Sequence, residues 1–265
     1  MNGALLIINE NYEGLVKDPD ANVYTLNSSL DIGDDNLLIN ITGRLRINGD
    51  VKANIITIHK NCEKFTVTGK LYIKHMIACD TNVFVEDKVS VDYCIYVKHI
   101  TSLNNINVGN VIISFDDIIC RYISIGEEHN GCDNLLYAII CQGRIECESI
   151  RSKGSISAKE GIQSRGQIYA EGFISSESDI VAYSSIESGS FIDVAGRIFT
   201  GIMVGLNHPM TVTCTELKRG TICYGNLYLL KDKDEDNKLH INESANNKNN
   251  KLYENIPEGY TNETV

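Results

Sequence analysis

The 265-residue chain has no tryptophan, three prolines and nine cysteines, none of them in a Cys-x-x-Cys pair. An odd cysteine count, with Cys79, Cys120 and Cys147 at the inward phase of apolar runs, points to buried reduced thiols rather than a disulfide framework. The beginning, MNGALLIINENY, lacks the basic flank and the length of a secretory leader, so the expected compartment is the cytoplasm. No apolar run approaches the ~18 residues of a membrane-spanning helix, so no transmembrane segment is expected. A basic excess is missing too. The formal net charge of −11 argues against direct nucleic-acid binding and leaves open a mimic of nucleic-acid charge. The chain contains no G-x-S-x-G, no P-loop, no G-x-G-x-x-G and no H-E-x-x-H.

What the chain does have is a strict period. Isoleucine recurs every sixth residue at Ile150, Ile156, Ile162, Ile168, Ile174, Ile180, Ile186, Ile192 and Ile198. Two positions after each stands a small residue in all but one case, Val194, and four positions after stands mostly Gly or Ser, as at Gly154, Gly172 and Gly196. Six fits neither the helical 3.6 nor the heptad 3.5, but it is a multiple of the strand period of two. A flat sheet has no reason to restart every six residues, whereas a chain that turns a corner every six does. The large residue fills the interior, the small one fits beside the corner, and Gly or Ser relaxes the backbone there. These features predict an all-β fold, a single-stranded triangular parallel β-helix.

Outward residues set the coil length. At about 18 residues per coil, Lys153 meets Glu171, Lys159 meets Glu177, Asp179 meets Arg197, and Arg151 stacks over Tyr169. A 12-residue coil would set Lys153 over Arg165. Opposite charges on neighbouring strands are favourable and like charges are not, so three six-residue faces per coil are expected.

In chain order, residues 1–37 are poorly periodic and read as an N-terminal cap whose apolar part is Ala4 to Ile8. The β-solenoid body spans 38–200. Its early hexads, Phe65, Leu71, Ile77, Val83, Val89 and Ile95, have large residues two positions on, which predicts fatter coils. After Ile95 the phase slips by one (Ile100, Ile106, Ile112, Ile118), predicting a bulge or longer corner near Lys98–Ser102. An irregular seam lies near 126–149, where GEEHNGCDN reads as a protruding loop and Ile140, Ile145 and Ile150 step by five. Residues 201–230 read as a C-terminal cap and 231–265 as a disordered polar tail. At roughly 4.8 Å per rung the body is a rod on the order of 50 Å long.

Chemistry is sparse. His129, Cys132 and Asp133, with Glu127 and Glu128 beside them, are the weak metal-ligand candidates, and an enzyme would use the loop around His129. His75 and His99 fall at corners and read as hydrogen-bonded to backbone. His208, before Pro209, reads as structural. Asp116 and Asp117 are adjacent, so on a strand their side chains would diverge and offer no carboxylate pair. No catalytic residue and no cofactor are predicted; the nine hexad isoleucines are the structural core.

The spacing over 150–202 resembles two families. Hexapeptide-repeat acyltransferases favour Gly right after the aliphatic residue; here Arg151, Ser157, Gln163 and Tyr169 occupy that place, so no catalytic His carries over. Bactofilins, bacterial polymer-forming cytoskeletal proteins, show runs like I-x-A-x-G-x, as in Ile168-Tyr169-Ala170-Glu171-Gly172-Phe173. That resemblance implies a right-handed β-helix that self-associates. The expected function is therefore a structural or scaffold protein, with itself (homo-oligomer or filament) or another protein as partner. The alternative is an acidic rod-like adaptor or inhibitor, in its extreme form a nucleic-acid mimic.

Overall fold

In the six-residue units of 150–200, strands as short as Ile168–Ala170, Ile174–Ser176 and Ile180–Ala182 alternate inward, outward, inward, and the remaining residues turn the corner. A computed structural model describes residues 3–18, 20–126, 138–201, 210–224, 226–230 and 241–242. Among the described residues there is no helix, and thirty-one strands join one sheet that winds into a β-solenoid of about 10 turns.

Three walls follow from the pairings. Wall 1 carries the column Ile150, Ile168, Ile186; wall 2 carries Ile156, Ile174, Ile192; wall 3 carries Ile162, Ile180, Ile198. Every step is parallel and eighteen residues long, as the outward charges require. All nine isoleucines are at most 2% exposed. Each full burial of a side chain this size contributes about 1.5–3 kcal/mol. The small residues two positions on also point inward, and the hydroxyls among them are put to use. Ser152, Ser164, Ser176 and Ser188 each accept the backbone N–H two residues on, at 3.1–3.2 Å. That local bond closes the corner and satisfies a buried hydroxyl.

Asp or Ser on one rung closes the corner of the next. The N–H of Lys70 donates to Asp50 Oδ1 at 2.7 Å, Arg144 to Asp117 Oδ1 at 2.9 Å, Phe173 to Ser155 Oγ at 3.2 Å, and Arg197 to Asp179 Oδ1 at 2.8 Å. The residue before each donor is Gly69, Gly143, Gly172 or Gly196, and a Cβ there would collide with the acceptor residue or the backbone beside it. The glycine period in the sequence is thus a close-approach requirement between rungs.

The parallel stacking extends beyond 38–200. Within 1–37, Leu5–Asn9, Val23–Leu26 and Leu30–Asp31 pair in parallel with Asn36–Asn40, Gly43–Ile47 and Val51–Ile58. Only Leu15–Asp18 runs antiparallel, against Val23–Leu26. Within 201–230, Thr211–Cys214, Glu216–Tyr224 and Asn226–Leu230 also stack in parallel. Ile241–Asn242 pairs antiparallel with Leu229 and Leu230; the rest of the segment 231–265 lies outside the described residues.

The phase slip after Ile95 has a different cause from the bulge or longer corner expected. Ile77 pairs with Ile95, eighteen on, but Val83 pairs with Ile100, seventeen on. Lys98 alone separates Cys94–Val97 from His99–Ser102. The corner is shortened by one residue, so the strands keep their faces and only the sequence phase moves. In the seam, the inward residue is Ile139, fully buried, while Ile140 faces outward. Across it Ile112, Ile118 and Ile123 pair with Ile139, Ile145 and Ile150, each twenty-seven residues on, nine more than the regular coil.

Candidate functional site

The loop candidates His129, Cys132 and Asp133 lie outside the described residues, as does His208. The remaining titratable groups are placed by corners. At the corner between walls 2 and 3, His99, Asp117 and Arg144 precede the stacked residues Ile100, Ile118 and Ile145 and so follow one another on successive rungs. Ligand atoms of His99, Asp116 and Asp117 lie within 4.8 Å of one another. The two aspartates converge because they occupy a corner, where the alternation of a strand does not apply; the divergence expected from adjacency does not hold. His99 stands over Asp117 at the regular offset of eighteen residues; what the sequence hides is the corner geometry that turns Asp116 and Asp117 the same way.

Its chemistry is already committed in part. Asp117 Oδ1 accepts the Arg144 N–H, and Oδ2 lies 3.5 Å from Arg144 Nε. His99 Nε2 is 2.8 Å from Thr101 Oγ1. His75 Nδ1 likewise meets a side chain, Asn54 Oδ1 at 2.9 Å. Both histidines bond side chains where backbone was expected. Three donors beside a guanidinium fall short of the four-ligand shell of a structural zinc site.

A concavity lies along the corner between walls 3 and 1, where Arg121 and Glu148 stand over Cys120 and Cys147. Arg121 Nε donates to Glu148 Oε2 at 2.9 Å, and this hydrogen bond holds the exposed Glu148 carboxyl below its ordinary range. Behind the pair, burial pushes the Cys147 thiol up to about 12 and the Cys120 thiol well above its ordinary value. Cys79 and Cys141 are also pushed up by burial to about 12. A nucleophilic cysteine needs a lowered pKa and access, and these have neither. The cysteines of the described residues are all unpaired thiols.

Ion pairs join rungs along the walls and corners. Arg197 Nη2 meets Asp179 Oδ2 at 2.8 Å, as the eighteen-residue register predicts. Arg151 lies over the Tyr169 ring at 5.0 Å. Glu177 contacts Arg219 at 3.5 Å, and Arg219 also pairs with Asp193. The acids of this region therefore alternate with bases rather than forming the unbroken anionic rows of a nucleic-acid duplex.

No helix among the described residues is long and apolar enough to cross a membrane. Compared with known protein families, with curated proteins and with solved structures, the chain has no match.

Proposed function

We propose that this protein is a scaffold, a rigid β-solenoid that acts by self-association or protein binding rather than by catalysis. The observation that carries this reading is the single sheet of about 10 turns, whose outward side chains stand in register from rung to rung. Such walls are flat, repetitive and stiff, which suits a surface that binds by shape over many rungs. The I-x-A-x-G-x run at Ile168 supports a bactofilin-like, right-handed, polymer-forming helix. The buried thiols support a reducing compartment such as the cytoplasm.

The test is the mass of the purified chain by light scattering across a wide concentration range, with negative-stain microscopy of the same samples. Oligomers or filaments support the self-associating scaffold. A monodisperse monomer at all concentrations sinks self-association and leaves the adaptor reading. That second reading draws on the net charge of −11, which would favour a basic partner. The pairing of Asp179, Asp193 and Glu177 with Arg197 and Arg219 weighs against its duplex-mimic form.

A further inference from the structure

The outward side of wall 2 differs from the other two. Over nine successive rungs, from Leu5–Asn9 to Ile174–Ser176, its two outward columns hold no Asp, Glu, Lys or Arg. At the centre one column runs Met76, Cys94, Val111, Ala138. The other runs Ala78, Tyr96, Ile113, Ile140. The first charged residue in either column is Asp193. By contrast, wall 1 carries Lys52, Arg151 and Glu187 outward, and wall 3 carries Arg46, Glu146 and Arg197.

Tyr96 and Ile140 are 37% and 38% exposed, and Leu5 and Ile7 more so. Two further exposed aromatics, Tyr93 and Phe115, sit at the corners on either margin of this wall. The strands themselves read as unbroken apolar runs: Cys94-Ile95-Tyr96-Val97, then Val111-Ile112-Ile113, then Ala138-Ile139-Ile140. Continuous runs of this kind belong to parallel strands covered on both faces; a sheet with one wet face alternates apolar with polar. The core covers the inner face of wall 2, and the outer face has the composition of a covered one.

We propose that wall 2 is the surface through which two copies of this chain pair side by side, face against face. The inference rests on the scaffold reading above and names its contact surface. Three observations select a second copy. Chains of net charge −11 repel, and wall 2 is the side whose outward strand columns set no like charges together, the charged Asp80, Lys98, Lys159 and Glu177 lying at its corner. Nine rungs of roughly 4.8 Å by a strand width of roughly 13 Å give about 560 Å² of flat face, approaching with its corner margins the ~800 Å² per partner of a standard interface. The apolar centre, at Cys94–Val97 and Val111–Ser114, lies midway along the uncharged stretch. A two-fold axis through it therefore lays each centre on the other, as an isologous dimer requires. Two such faces pack like the sheets of a sandwich.

The experiment compares the full chain with Ile140→Asp, Tyr96→Lys and, as a control on wall 3, Gln163→Asp, by sedimentation velocity over a concentration series. Circular dichroism melting is measured on each. The expected result is a wild-type dimer, at least a tenfold weaker dimer for both wall 2 variants, and an unchanged dimer for Gln163→Asp, all with near-native melting. Either wall 2 variant suffices if the other fails to fold. If wild-type oligomers persist undiminished in the wall 2 variants, or weaken equally in Gln163→Asp, the proposal is overturned while self-association stands. If the wild type is monomeric throughout, self-association falls with it.

Discussion

Asp179 holds Arg197 twice: Oδ1 accepts its backbone N–H and Oδ2 its guanidinium, both at 2.8 Å, one full coil away in sequence. The two bonds differ in worth. The first satisfies a backbone group at a corner; the second is a partly exposed ion pair of the kind that contributes no more than about 1 kcal/mol.

Asp179→Asn should therefore keep most of the stability, since an amide oxygen still accepts the N–H, whereas Asp179→Ala should lose about 1–2 kcal/mol. Urea titrations of both variants decide it. Equal losses would show that charge, rather than the corner hydrogen bond, is the stabilising part.

Gly196→Ala tests the close approach beneath that bond. A Cβ at 196 would stand 2.7 Å from the Ser178 carbonyl carbon and 2.9 Å from the Asp179 nitrogen, both backbone atoms of the neighbouring rung. Overpacking of this sort costs about 1–3 kcal/mol, so a clear drop in melting temperature is expected. A melting curve identical to wild type would mean the rungs separate easily at this corner.

Ile168 sits between Ile150 and Ile186 with no exposed surface. Ile168→Ala should cost about 2–5 kcal/mol, and Ile168→Asp should unfold the chain near room temperature because it buries a charge without a partner. A folded, thermostable Ile168→Asp protein would contradict the column.

The thiols make a prediction in pH. Burial raises Cys79, Cys141 and Cys147 to about 12 from an ordinary value of 9.0, so the folded chain keeps protons that the unfolded chain gives up. Their contribution is fully present below pH 9 and is lost as the pH climbs from there towards 12. Stability measured by denaturant should be level through neutral pH and decline above about pH 9. In native protein at pH 8 these thiols should stay unreactive to a thiol reagent that labels them fully after denaturation; rapid native labelling would argue against their burial.

At the C-terminal end, Leu229 and Leu230 pair with Asn242 and Ile241. Truncation after Asn242 should leave melting unchanged. Ending the chain at Leu230 uncovers the edge of Asn226–Leu230 and should raise its tendency to associate, read by light scattering. Equal scattering from both truncations would assign Ile241–Asn242 no protective role.

The sequence by itself determined the repetitive part of this protein. A six-residue period with isoleucine inward, Ser or Ala beside the corner and Gly at the close approach leaves a three-walled coil as the consistent arrangement. Complementary side chains such as Asp179 and Arg197 set its length at eighteen, because local periodicity is a property of the chain alone. Where the chain departs from its period, only the tertiary structure decided. Corner length is invisible to a face-counting argument: in the sequence the slip after Ile95 reads as an added residue, whereas Lys98 marks a missing one. For the same reason Ile139, not Ile140, fills the interior, and the parallel stack takes in strands of 1–37 whose coils are too irregular to show a period. The gathering of His99, Asp116 and Asp117 lies at the regular offset of eighteen but needs a corner to turn both carboxylates one way, and the uncharged face of wall 2 joins residues seventeen to thirty-one positions apart. They depend on which rung lies over which, and that is settled by packing across the whole coil.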